Sequence, residues 1–135
     1  MTTDHQDALI YIMVMLSAAD THMTDQELRI IGDSVNHLPV FADYDHQRLS
    51  ATLEECVTLL TGEKGLEKAL RVVKEALPAK LRETGYLLAC DVAAADGEAS
   101  QEELRLLELL RDHLQIDPLV AAALERGARA RFRTV

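Results

Sequence analysis

Basic residues are in short supply: 14 Lys and Arg face 23 Asp and Glu across 135 residues, a net charge of −9 with an isoelectric point near 4.9. Phosphate binding draws on an excess of Lys and Arg, so nucleic acid is excluded as the main partner, whereas a cation or a basic protein is not. Cysteine is also scarce. Cys56 and Cys90 are far apart, form no CxxC pair and follow no secretory leader, a usage that fits reduced thiols in a cytoplasmic protein. The longest apolar runs, "ALIYIMVML" and "YLLACDVAAA", are too short or too interrupted for a bilayer, which needs roughly 20 apolar residues. No stretch alternates with period two, so no strand is expected. A nucleophile with a base at telling spacing, a Gly-rich phosphate loop and a zinc-hydrolase motif are all missing, and no enzyme class is indicated.

What remains is helical periodicity, and 48% hydrophobic residues are enough to cover one core in a chain of this length. The expected fold is all-α, one domain spanning residues 1–135 and built of about seven helices. The first runs from about Asp4 to Ala19 and the second from Thr24 to His37, with Leu28, Ile31, Val35 and Leu38 as its stripe. A third starts near Asp43 or Asp45, turns Leu49, Leu53, Cys56, Leu59 and Leu60 inward, and stops at Gly62. The fourth covers Glu63 to Leu77. Pro78 opens a fifth that continues to Ala95, where Gly97 terminates it. The sixth runs from Ser100 to His113 with Leu104, Leu107, Leu110 and Leu114 inward, and the last follows Asp117-Pro118.

One motif occurs twice. "AADTHMTDQEL" at residues 18 to 28 returns as "AADGEASQEEL" at 94 to 104, an offset of 76. Identity extends through Arg29 and Arg105 to the pairs His37/His113 and Leu38/Leu114, so residues 8 to 38 and 84 to 114 are expected to form two similar helix-loop-helix units in a pseudo-symmetric bundle. Thr24 with Glu27 and Ser100 with Glu103 have capping-box spacing, in which hydroxyl and carboxylate reciprocally satisfy backbone N–H groups. Asp20 and Asp96 fall at helix carboxyl ends, where the field of the exposed carbonyls disfavours an anion and a nearby cation reverses that sign. Asp91 interrupts an apolar run, and a buried lone carboxylate is costly unless paired, protonated or metal-bound. Carboxylates and carbonyls without thiolates or paired histidines suit a hard divalent cation such as calcium or magnesium. The bland reading stands beside this: the acids cap helices or pair with Arg29, Arg105 and Lys80. His37 and His113 read as helix-end residues favoured by the dipole, and both cysteines as small core residues. The tail "ERGARARFRTV" gathers Arg126, Arg129, Arg131 and Arg133; a solvated or self-docking tail is the plain expectation, contact with a membrane surface or an acidic patch the other.

With "AADTHMTDQEL" and "CDVAAADGEASQEELRLLELL" in view, nearly the whole chain resembles the TerB-like family, named for tellurite resistance and also found as a domain in membrane-anchored DnaJ-type co-chaperones. The segments look like the family's paired A-D-G-x-x-[ST]-x-x-E motifs, with "DTH" in place of D-G in the first copy. The resemblance implies an all-helical, non-enzymatic stress-response domain with an acidic centre. Carried over by position, it implies Asp20, Glu27, Asp91, Asp96 and Glu103 as ligands of a divalent cation, with an unidentified protein as partner. The rival is a metal-independent helical interaction module whose acids are caps and salt bridges.

Overall fold

A computed structural model describes residues 4–19, 24–95 and 97–135. Those residues form seven α-helices, α1 (His5–Ala18), α2 (Asp25–His37), α3 (Leu49–Thr61), α4 (Gly65–Ala76), α5 (Arg82–Ala94), α6 (Gln101–His113) and α7 (Pro118–Arg131), with three short 3₁₀ turns and, among the described residues, no strand. The all-α expectation holds. The duplication also shows in the backbone: α2 and α6 begin and end 76 residues apart, as do the carboxyl ends of α1 and α5.

α1 is the hub. Asp4 caps it by accepting the Asp7 N–H at 2.8 Å, and every residue from Ala8 to Leu16 is at most 5% exposed. A helix apolar all round must be covered all round, and α2, α3, α4 and α5 do this. α5 lies against α1 closely because Gly85 has no side chain: a Cβ there would stand 2.9 Å from Ile12 Cδ1 and 3.1 Å from Leu77 Cδ2. α6 and α7 also pack on α5, and α7 buries Ala121 and Ala128, both 1% exposed. Phe132 packs partly buried on the same core. The carboxyl segment is therefore self-docked.

Several boundaries differ from expectation. Asp45 caps a 3₁₀ turn, His46–Arg48, by accepting from the Gln47 N–H, and α3 starts only at Leu49, whose fully buried apolar residue is Cys56. Asp43 instead accepts from Gln6 Nε2 at 2.8 Å. Pro78 precedes a 3₁₀ turn, Ala79–Leu81, so α5 begins four residues later than expected. The segment ahead of α3 is clasped to α1 by a buried polar group: Asp7 accepts from Arg48 Nη2 at 2.5 Å and from Thr52 Oγ1 at 3.2 Å. Burial, then the neighbouring Asp4 charge, raises the Asp7 pKa against the pull of Arg48.

The larger correction concerns the inward stripes. Leu28 and Leu104, equivalent positions, are 43% and 46% exposed. The inner line of α2 runs instead through Glu27, Ile31, Ser34 and Val35, and that of α6 through Glu103, Leu106, Leu107 and Leu110. In both copies the glutamate that follows the cap takes the inward place a leucine was expected to fill.

Candidate metal centre at the paired loops

Both loops end in a closed capping box. The Thr24 hydroxyl accepts the Glu27 N–H at 3.1 Å while Glu27 Oε1 accepts the Thr24 N–H at 2.9 Å. Ser100 and Glu103 repeat the pair at 3.1 and 2.9 Å. Thr24 and Ser100 hold extended backbone, as a cap requires. The glutamates lie deep, Glu27 at 1% and Glu103 at 5% exposure, where carboxylates occur only with compensation.

The second loop leaves α5 through Ala95 and turns at Gly97, whose φ of 97° lies in the left-handed region; glycine adopts it without the clash a Cβ brings. Of the five expected ligands, Asp20 and Asp96 lie outside the described residues, as do Thr21 and His22 of the first loop. Among the described residues no three His, Cys, Asp or Glu side chains gather as a ligand set, so Glu27, Asp91 and Glu103 do not make one by themselves.

Asp91 has a partner that sequence reasoning missed. Arg131, in the last turn of α7, brings Nε to 3.5 Å from Asp91 Oδ1, with the two side chains 58% and 13% exposed. Burial raises the Asp91 pKa and Arg131 pulls it back. Of the expected partners, Arg105 pairs with Glu108 at 3.0 Å, and among the described residues neither Arg29 nor Lys80 forms an ion pair with Asp91. The signal for Arg131 was present as an acid gap in an apolar helix and a cluster of arginines downstream. Nothing in spacing joins positions 40 residues apart.

Between α6 and α7, over the floor of α5, is a groove of about 570 Å³ whose mouth is formed by Gly97, Glu98 and Ala99 of the second loop. Cys90, Ala93, Ala94, Leu104 and Leu107 line it. Tyr86 closes one end, donating to Glu125 Oε2 at 2.6 Å, with Arg111 at 3.9 Å from the same oxygen. Burial pushes the Cys90 thiol up to about 12, aided by the charges of Glu125 and Asp91. Burial alone does the same for Cys56. Neither is a poised nucleophile. His37 and His113 each bring Nδ1 to the carbonyl four residues back, at 3.0 and 2.9 Å, a structural use of both.

The model of the family described as tellurite resistance protein TerB matches residues 6–126. The chain belongs to the TerB family. The match runs from the second residue of α1 to Arg126 within α7, and so stops short of Arg131. No curated protein and no solved structure matches the chain. Within this TerB domain no helix among the described residues is long and apolar enough to cross a membrane.

Proposed function

We propose that this TerB domain is a non-enzymatic module of tellurite resistance or a related stress response in the cytoplasm. It binds a divalent cation, calcium or magnesium, at its paired loops and engages a protein partner. The observation that carries the reading is the pair of glutamates, Glu27 and Glu103, at 1% and 5% exposure in equivalent places at the two loop ends. Each carboxylate also closes the capping box of its helix. Oxygen donors of this kind, repeated at two equivalent loop ends, suit a hard cation. Glu27 and Glu103, with Asp20, Asp91 and Asp96, would hold the ion, whose role is to fix the two loops. The groove beside the second loop gives the partner a place whose mouth depends on that loop.

A second reading rests on a specific observation of its own. Both glutamates cap, and Asp91 has Arg131 as counter-charge, so the same acids also serve a metal-independent interaction module. Thermal unfolding of chelator-treated protein with millimolar calcium, magnesium, manganese or zinc separates the two. In the cation reading at least one ion raises the melting temperature, by RT ln(1 + [L]/Kd), about 2.7 kcal/mol at a hundredfold excess over Kd. Asp96→Asn then weakens that rise while leaving the ion-free protein equally or more stable. No shift with any of the four ions removes the cation and leaves the interaction module.

A further inference from the structure

α7 has two faces of opposite character. Ala121 and Ala128 are buried against the core, with Leu124 and Phe132 packed partly buried beside them. Half a turn away, positions 119, 122, 123, 126 and 130 follow one another at helical spacing, and all are exposed. Leu119 is 80% exposed, far more than Leu28 or Leu104. Small alanines separate it from Arg126, with Arg129 at the stripe's edge and Arg133 just past the helix end.

The charge of this segment runs against the rest of the chain. Residues 118–135 contain four arginines and one acid, Glu125, in a protein of net charge −9. Glu125 is turned inward to Tyr86 and Arg111, and Arg131 to Asp91. Among the described residues no carboxylate forms an ion pair with Arg126, Arg129 or Arg133. The outer side of α7 thus carries Arg126 and a protruding leucine, with Arg133 just past its end and exposed Arg129 at the rim of the groove toward α6, on a helix of 14 residues, about 21 Å long at the usual rise.

We propose that this outer face of α7 docks on an anionic phospholipid surface. Basic residues around an exposed apolar side chain suit a helix lying at the headgroup boundary, with the apolar group entering and the guanidinium groups meeting lipid phosphates. An outward helical stripe meets a flat, extended array of charge along its whole length. The acidic remainder of the chain restricts the approach to this one face and makes it sensitive to salt.

Sedimentation with phosphatidylglycerol-containing vesicles tests this, with pure phosphatidylcholine vesicles as the uncharged control. The full chain is expected to co-sediment with the first and not the second, and to be released as salt rises. Each exposed arginine removed should weaken partitioning about fivefold, so Arg126→Gln, Arg129→Gln and Arg133→Gln together should weaken it on the order of a hundredfold. Their exposure predicts an unaltered thermal unfolding curve, which serves as the folding control. Leu119→Ser should weaken binding without changing its salt dependence. Absence of binding to the anionic vesicles overturns the proposal, and so does equal binding by the triple variant. Arginine-dependent binding to poly-glutamate without binding to vesicles overturns it in favour of an acidic polypeptide.

Discussion

Removing either member of the Asp91–Arg131 pair should have unequal consequences, because the two ends sit in different surroundings. Two unit charges 3.5 Å apart attract by about 5 kcal/mol at an effective dielectric near 20. More than half of the Arg131 side chain is in water, though, and screening reduces the net worth of such a pair to about 1 kcal/mol. Arg131→Gln should therefore destabilise the fold by about 1 kcal/mol, roughly 4 °C in melting temperature for a domain of this size, and leave a carboxylate 13% exposed without its counter-charge. Asp91→Asn loses the same pair but also removes the burial cost of the charge, so it should be neutral or stabilising. The double variant should match Asp91→Asn within about 0.5 kcal/mol, since once the carboxylate is gone the loss of the guanidinium abandons no buried charge. The pH dependence has a definite sign. Burial raises the folded-state pKa of Asp91 above its ordinary 3.8, so over that window the folded state binds more protons than the unfolded one and gains stability as pH falls. The Arg131→Gln defect should accordingly shrink as pH is lowered, because protonation of Asp91 removes the charge that the arginine offsets. Thermal unfolding followed by circular dichroism at pH 7 and at successively lower pH reads all of this. Equal destabilisation by the two single changes, or a double variant that sums them, would refute the asymmetry.

Other outcomes follow from the same packing. Thr24→Ala and Ser100→Ala should each lower stability by about 1 kcal/mol through loss of a cap, because the backbone N–H of Glu27 or Glu103 loses its hydroxyl acceptor. Gly65→Ala should cost about 3 kcal/mol, the upper range of overpacking, because a Cβ there falls 2.2 Å from the Leu60 carbonyl oxygen, a backbone atom; chemical denaturation measures it. Deleting residues 126–135 removes Ala128 at 1% exposure together with Phe132, so cooperative unfolding should be lost rather than preserved. Native protein should resist thiol alkylation until unfolded, since both thiols are buried and held near 12.

The helices were legible in the sequence because their start and stop signals are local. Thr24 and Ser100 cap as expected, and Gly97 turns with positive φ. The direction in which each helix faces was less so. A periodicity count treats leucine as inward and glutamate as outward, and at the duplicated Glu-Leu pair it chose Leu28 and Leu104, whereas the caps draw Glu27 and Glu103 inward. Of the candidate site, the capping boxes and the odd burial of Asp91 could be read from residues alone. The contact of Asp91 with Arg131 could not, because it depends on how α7 lies across α5, a matter of small residues such as Ala121 and Ala128 that carry almost no pattern.

The hub position of α1 has a consequence for how the chain is made. Its residues from Ala8 to Leu16 are covered on every side, yet α5, one of its main covers, is complete only at Ala94. At about 5 to 20 residues per second, a ribosome takes roughly 4 to 16 seconds to add the intervening stretch. Throughout that interval the most apolar helix of the nascent chain lacks its last wall. α1 is thus the segment on which co-translational aggregation, or rescue by a holdase chaperone, is decided.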